Sequence, residues 1–410
     1  WIPTDIEFEQ TADSITFEVN SFSAYSGGTV SYEVKQKTIC NCSSCAECNQ
    51  QLNNNSCDIV RLTADISSTT TCINNPTNFS NKTFDCQGHK IIGNGPEGGI
   101  YLNQKNNNTI LNCEIYNFTT GIYLFSSNSN TLTNITCYNN SEYGIYLYLS
   151  YSNTLTNITC YNNEFDGISL VSSNSNTLTN ITCHDNWMMG IHLYSSNSTT
   201  LTNITCYDNS QNGISLYESS NNNLTDIKTQ NNNLSEILIR HNSVNNTFKN
   251  IQIASYPTNI SFIYDSSPFS GWIKIDGVDS PPPDPSDWHN ISKYINITNS
   301  SGPSWLWLNI SYSDSDITNA GIYEPSLKIL KWNGSEWLES GWYESRILDT
   351  ANNIVGVNIT SFSVFAPFGK TLAHSNPFIG AHINPSMDGL VSYWQFEYDN
   401  GTVTPDATGR

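Results

Sequence analysis

The residues best equipped for chemistry in this 410-residue chain are its 12 cysteines, which fall into two groups. Seven of them (Cys40, Cys42, Cys45, Cys48, Cys57, Cys72 and Cys86) crowd into one short stretch. The run Cys42-x-x-Cys45-x-x-Cys48 suits zinc or an iron–sulfur cluster in a reducing compartment. In an oxidising one the same thiols pair as disulfides and staple the end of a fold. Disulfides are the expectation, and because seven is odd, one thiol stays free or pairs elsewhere. The second group, Cys113, Cys137, Cys160, Cys183 and Cys206, is widely and evenly spaced. These read as stacked, buried thiols acting as small apolar residues. A thiolate metal stack is the sharper alternative, and bridging between parallel neighbours is disfavoured by the torsion a disulfide needs.

Other reactive types are sparse. Sugar-cleaving sites use clustered carboxylates or an Arg/Lys base, yet no Lys or Arg stands between Lys105 and Lys228. Asp166, Asp185 and Asp208 fall near turns on different strands or repeats, so no catalytic residue is assigned and the chain is expected not to be an enzyme. His184 and His192 flank Trp187-Met188-Met189. They could ligate a metal, but a solvated loop with an apolar contact is the expectation. Asp314-x-Asp316-x-x-Asn319 has part of the pattern of a calcium loop without its bidentate Glu. Calcium is thus the sole cofactor suggested, and only weakly.

The elements that position these residues come from a repeat of about 23 residues. Gly-Ile-x-Leu recurs at Gly99, Gly121, Gly144, Gly167, Gly190 and Gly213, and a cysteine stands seven residues before each of the last four. Fixed self-similarity at this period denotes a solenoid whose coils stack. Alternating apolar residues predict three short strands per coil, as in a right-handed parallel β-helix. Inward ranks follow: Ile122, Ile145, Ile168, Ile191 and Ile214; Leu124, Leu147, Leu170, Leu193 and Leu216; Leu132 to Leu224; Ile135 to Ile227. Asn140, Asn163, Asn186, Asn209 and Asn232 form a structural asparagine column. Outward aromatics Tyr101, Tyr123, Tyr146, Phe125, Tyr148, Tyr194 and Tyr217 form a candidate contact face for glycan or protein, with Tyr138, Tyr161 and Tyr207 on a further row.

Composition sets the setting. Net charge is -20 with only 13% charged residues, so nucleic-acid binding, which needs cations to displace counterions, is excluded. No apolar run is long enough to span a membrane. Asn-x-Ser/Thr triplets are dense and include Asn41, Asn54, Asn78, Asn81, Asn107, Asn117, Asn134, Asn157, Asn180, Asn203, Asn223, Asn245, Asn259, Asn296, Asn309, Asn333 and Asn358. Several are expected to carry N-linked glycans in an exported protein. Not all can, since neighbouring coils lie only about 4.8 Å apart. The chain opens on Trp1 without an initiator Met, as a processed or excerpted chain would.

Cys42-Ser43-Ser44-Cys45-Ala46-Glu47-Cys48, Val60-Arg61-Leu62-Thr63-Ala64-Asp65-Ile66 and Phe84-Asp85-Cys86-Gln87-Gly88-His89 lead into Gly99-Ile100-Tyr101-Leu102 and Asn112-Cys113. This resembles the start of the NosD-like parallel β-helix domains of archaeal surface proteins, over residues 40–255. The resemblance implies a pectin-lyase-like fold but no activity, since that fold hosts enzymes, adhesins and scaffolds alike. No copper site matching the family name is evident. After Pro281-Pro282-Pro283, spaced strands such as Trp305–Ile310 and Val355–Ile359 predict an Ig-like β-sandwich. The stretch from Trp342 to Phe365 parallels Trp1 to Tyr25, and Gly389–Phe396 resembles the opening strand of a concanavalin-like (laminin-G-type) lectin domain.

The fold class expected is therefore all-β. Residues 1–27 form half a sandwich, 28–98 a disulfide-rich cap and first coils, 99–275 the β-helix, 276–289 a proline-rich linker, 290–370 a sandwich, and 371–410 a linker and lectin-like strand. The function expected is an extracellular, glycosylated structural subunit of an archaeal surface filament, sheath or S-layer, self-associating into a homopolymer by strand addition. A cell-surface adhesin that binds polysaccharide is the alternative, and a polysaccharide lyase or hydrolase comes third.

Overall fold

The computed structural model describes residues 8–11, 14–17, 37–253, 256–339 and 342–371. The chain divides into two compact units, Trp1–Lys37 and Thr38–Arg410. In the first, strands Phe8–Thr11 and Ser14–Phe17 make an antiparallel hairpin. The rest of the expected half-sandwich, and the lectin-like strand at 389–410, lie outside the described residues.

The second unit is a parallel β-helix. Four-residue strands such as Ile122–Phe125, Ile145–Tyr148 and Ile168–Val171 pair in parallel from coil to coil. Eight-residue strands such as Thr131–Tyr138, Thr154–Tyr161 and Thr177–His184 form the facing wall. The expected isoleucine and leucine ranks lie in register along both walls. All are essentially sealed from solvent. Each such side chain contributes about 1.5–3 kcal/mol by leaving water, and only a neighbouring coil can cover it.

Two expectations are corrected here. The second and third strands are one continuous strand bent at its fourth residue. Asn134, Asn157, Asn180 and Asn203 occupy that bend in the left-handed region, with φ of 54°, 55°, 56° and 53°, which asparagine tolerates better than most residues. Cys113 does not join the thiol rank, because it faces Ile135 while Ile115 faces Cys137. It is instead bonded to Cys86, so it is the partner that the odd count of cap cysteines requires.

Polar ladders hold the corners. Asn140 donates through Nδ2 to Asn163 Oδ1, Asn163 to Asn186, Asn186 to Asn209 and Asn209 to Asn232, each at 2.9 Å. The same oxygens accept the backbone N–H of the coil before, at 3.2 Å for Asn140 and 3.1 Å for Asn163. A second buried asparagine rank (Asn130, Asn153, Asn176) and a serine rank (Ser127, Ser150, Ser173, Ser196, Ser219) do the same at the other turns. Turn N–H groups that a strand ladder cannot reach are satisfied this way.

The amino-terminal end is closed by helix Cys45–Asn53, which buries Cys48 and Leu52 against the first coils. Ser44 caps it by accepting from Glu47 N at 3.2 Å. At its other end the ammonium of buried Lys82 donates to the carbonyls of Leu52 and Asn54 at 2.8 and 2.7 Å, a cation where the helix dipole favours one. Disulfides Cys40–Cys57, Cys42–Cys48 and Cys45–Cys72 tie the helix down.

At the other end a set-apart Ig-like sandwich is not what the strands form. Thr258–Tyr264, Leu306–Ser311, Ile354–Ile359 and Trp342–Asp349 prolong one wall with antiparallel pairing. Trp272–Asp276, Ile295–Ser300, Val364–Gly369 and Lys328–Trp332 prolong the other. The core runs on across the junction, with Phe248 and Phe262 stacked at 4.2 Å. Pro283, though exposed, is tied to this end by its carbonyl, which accepts from Trp337 Nε1 at 3.0 Å.

Two outcomes test these assignments. Asn163→Ala leaves several buried donors and an acceptor unpaired, so we expect a loss of about 3 kcal/mol in a denaturant titration. Thr159→Ala on the outer surface should change little. At the junction, Asp276 accepts from Glu236 N at 3.0 Å, and burial pushes its carboxyl up to about 6. A raised carboxyl favours folding fully while protonated and loses that contribution as pH rises through about 6. Asp276→Asn is therefore expected to be more stable than the parent at pH 7, by about 2 kcal/mol, with the gain vanishing below about pH 4. Unfolding curves across that range check it.

Candidate functional site

The outer face of the four-residue wall carries the aromatic rows. Tyr101 and Tyr123 lie 5.3 Å apart by ring centroid, and Tyr123 and Tyr146 stack at 4.9 Å. Two residues on, Phe125 stacks on Tyr148 at 5.5 Å, and Tyr194 on Tyr217 at 4.9 Å. In-register pairing makes such rows automatic once each coil places a ring in the same slot. Burial raises the Tyr123 hydroxyl to about 12 and that of Tyr146 in the same direction, so both keep their protons.

The rows are interrupted in the middle. Ser169 and Val171 replace the rings in one coil, and His192 follows Ser169 in the inner row. The predicted face is thus two aromatic patches with a polar centre between them. His192 Nδ1 lies 3.4 Å from Asp166 Oδ2, across two coils. Asp166 is almost fully buried and its other oxygen accepts from Met189 N at 3.2 Å. With Nδ1 turned to a carboxylate, Nε2 is left as the basic nitrogen. Nε2 is buried without a hydrogen-bond partner, and so is the hydroxyl of Ser215, the in-register neighbour of His192.

Rings surround this centre. Tyr143 stacks on Tyr146 at 4.7 Å and meets Phe165 edge-on at 5.3 Å. His192 meets Tyr194 edge-on at 6.1 Å. Phe165 and Tyr194 are exposed, and Trp187 in the adjoining turn is 70% exposed. Burial and the charge of Asp166 push the Tyr143 hydroxyl well up. The arrangement offers apolar platforms on either side of a carboxylate-oriented imidazole, the parts of a general base beside a sugar-stacking surface.

The remaining candidates are dispersed. His184 is not joined to His192: it lies on the opposite wall, stacked between Tyr161 and Tyr207 at 5.0 and 4.7 Å, and contacts Asp185 at 2.7 Å. Tyr116 and Tyr138 extend that stack at 4.6 Å. Asp185 and Asp208 occupy turns with positive φ. Asp314, Asp316 and Asn319 belong to helix Asp314–Ala320 rather than to a loop. There Asp316 completes a capping box with Ser313 and contacts Lys293 Nζ at 3.1 Å, while Asp314 accepts from Asn353. Among the described residues, no three His, Cys, Asp or Glu side chains converge to hold a metal ion.

One acidic pair escapes the sequence. Glu236 and Asp276 line a cavity of about 210 Å³ with Asp279, Asn231 and Asn233. Burial raises both carboxyls, and Glu236 accepts from Thr229 Oγ1 at 2.6 Å. The two stand 40 residues apart on different strands, and no periodic pattern connects them.

A family profile described as "Right handed beta helix region" matches residues 131–268, and one described as "Periplasmic copper-binding protein (NosD)" matches residues 30–180. No curated protein matches the chain. Among solved structures, the A-module of the mannuronan C-5 epimerase AlgE4 from Azotobacter vinelandii is 17% identical, over 48% of this chain and 58% of that one, with a TM-score of 0.40. The periplasmic alginate epimerase AlgG is 17% identical over 44% and 47%, TM-score 0.36. The catalytic domain of a GH87 alpha-1,3-glucanase in complex with nigerose is 11% identical over 55% and 60%, TM-score 0.37. The chain spans less than two thirds of each, and at these values the likeness speaks to fold alone. It does correct one expectation. The chain was expected not to be an enzyme, yet the three solved structures named here are polysaccharide-modifying enzymes, so that expectation does not stand. The two profile matches and the in-register coils support a right-handed parallel β-helix that is NosD-like and pectin-lyase-like.

Proposed function

We propose that this chain is an exported carbohydrate-active β-helix protein that lays a neutral polysaccharide along its aromatic rows, with His192 and Asp166 handling a proton at the centre. The observation that carries the reading is the pairing of His192 with buried Asp166 between two patches of stacked rings. Aromatic faces bind the apolar faces of sugars without needing charge. Charge also selects the substrate. The net charge is -20 and the middle coils hold no Lys or Arg, so a polyanion is repelled at long range and meets no cation on arrival. Neutral glycans are favoured for the same reason.

Export fits the four disulfides, which form and persist outside reducing compartments. No helix among the described residues is long and apolar enough to cross a membrane. A polymer-forming subunit is not carried forward, since neither the described residues nor the matched proteins support it.

Glycan occupancy should follow the ladders. Asn157 Nδ2 donates to Asn134 Oδ1, Asn180 to Asn157 and Asn203 to Asn180, at 3.0, 3.0 and 2.8 Å. In a glycosylating host we expect these four sequons to be empty or nearly so. Asn333 should be occupied, because it is exposed in a turn where only its Oδ1 is engaged. Mass spectrometry of glycopeptides reads this directly.

For the main reading, affinity electrophoresis in gels cast with neutral or uronic-acid polysaccharides is expected to retard the protein only in some neutral ones. Tyr146→Ala with Tyr194→Ala should abolish retardation. His192→Gln should keep it while lowering product formation from the retained polysaccharide at least 100-fold, the scale of a lost general base. Retardation by polyanions alone, or none at all, would overturn the proposal.

A further inference from the structure

The four remaining cysteines form a single file. Cys137, Cys160, Cys183 and Cys206 pair in register on successive strands. All four are free thiols and fully buried. Their sulfurs are held in line by the glycine rank opposite. A Cβ placed at Gly121, Gly144, Gly167 or Gly190 would come within 2.9 to 3.0 Å of the sulfur of Cys137, Cys160, Cys183 or Cys206 respectively. In each contact the glycine lies 16 residues before its cysteine, so the sulfur packs on the glycine of the preceding coil.

Packing alone does not require sulfur there. The same slot holds Ile115 in the coil before the file and Thr229 in the coil after it. The shape therefore admits a larger apolar residue and a hydroxyl. Oxidation does not consume these thiols either, although eight other cysteines of the chain are bonded. In-register side chains point the same way, which is a poor start for a disulfide torsion.

What the file does offer is a repeated gap between two sulfurs. Adjacent strands lie about 4.8 Å apart. Two thiolate–metal bonds end to end, at about 2.3 Å each, span about 4.6 Å. No third ligand stands beside any gap, since no three ligating side chains converge among the described residues. Tetrahedral zinc and iron–sulfur clusters are thereby disfavoured, because both take four ligands. Soft thiolates without further ligands suit a monovalent d¹⁰ ion, for which Cu(I) is the biological case.

We propose that this file is a binding site for soft monovalent cations, Cu(I) or its analogue Ag(I), with one cation in each of the three gaps between Cys137 and Cys206. Each cation is held by two sulfurs, and Cys160 and Cys183 each bridge two cations. Three S–H bonds break, three protons leave to solvent, and one terminal thiol keeps its proton. Nothing is oxidised or reduced. Because one positive charge enters for each that leaves, the buried column stays neutral, which removes the main cost of placing ions in an apolar core. Burial opposes ionisation at Cys137, Cys160 and Cys183, yet at Cys160 hydrogen bonds from Cys137 and Cys183 outweigh it and draw the group down. The matched copper-binding profile ends at residue 180, before two of the four thiols.

The test is native mass spectrometry of the full chain, with disulfides intact and oxygen excluded. Cu(I) or Ag(I) is supplied both to the folded protein and during its expression. The parent should take up three cations by at least one route, and copper X-ray absorption should show two sulfur neighbours per metal. Cys137→Thr removes one gap and should bind two. Cys160→Thr with Cys183→Thr leaves the outer sulfurs about 14 Å apart and should bind none. Threonine already occupies this slot at position 229, so the variants are expected to keep the parent's circular dichroism. No uptake by the parent, or equal uptake by the double variant, would overturn the proposal, as would three- or four-coordinate copper. If the double variant fails to fold, the step from three to two in Cys137→Thr decides.

Discussion

Everything in this molecule depends on like residues lying over like in successive coils. The hydrophobic ranks supply most of the free energy, but they do not fix the register by themselves. Burial forbids a one-residue slip, which would turn every Ile and Leu outward, but a two-residue slip would only lay Ile over Leu. The asparagine ladder forbids that slip as well. Each Asn163-type side chain accepts a backbone N–H and a side-chain N–H from one coil while donating to the next. A slip of two residues would strand several of these groups in a water-free interior at once. The ladder converts a greasy stack into a rod with one allowed alignment, and the outer rows inherit that alignment. Rings that stack at 4.9 Å on the surface do so because amides are locked at 2.9 Å inside.

This constraint also explains how a repeat can hold a site. An inward residue is answerable to two neighbouring coils, so a change there propagates. An outward residue is answerable mainly to solvent. The coil that bears Ser169 and the one that bears His192 keep every inward isoleucine and leucine, while their outer slots depart from tyrosine. The scaffold tolerates the departure because nothing in the core depends on it. Asp166 is the exception that shows the rule. It sits in the slot that holds Tyr143 in the coil before and Met189 in the coil after, and it is buried only because Met189 N and His192 meet its oxygens.

Much of this was legible in the sequence, for a definable reason. The inward ranks, the Asn140-to-Asn232 column and the disulfide-rich cap follow from spacing alone, because a solenoid maps sequence period directly onto spatial neighbours. The misreadings occur where period and geometry part. Cys113 falls near the thiol spacing but precedes Gly121 by eight residues instead of seven, and that single residue moves it to the Ile135 rank and to Cys86. The repeated Asn-Ile-Thr triplets have the form of glycan acceptors. Their regularity has a second cause, since the left-handed bend and its exposed amide ladder need asparagine at that position. His192 and Asp166 are separated by one repeat plus three residues, an offset that column reading does not test. Glu236 and Asp276 meet where the repeat ends, beyond the reach of periodicity altogether. The strands after the repeat were legible as strands but not as a continuation, because antiparallel extension of the two walls leaves no periodic trace.

The transition out of the repeat is where the charge logic changes as well. Within the middle coils the absence of Lys and Arg keeps stacked rows from placing cations about 4.8 Å apart, where each pair would repel and the cost would grow with every coil. Neutral amides, hydroxyls and phenols can be stacked indefinitely; ammonium groups cannot. Lys228 enters the Thr205 rank and Lys249 the Thr225 rank only in the last coils. Arg240 follows Tyr217 and lies over its ring at 5.2 Å. Cations are thus admitted one to a rank, where the stack stops. The neutral aromatic face follows from the same constraint, since a surface built by repetition favours groups that do not repel their own copies.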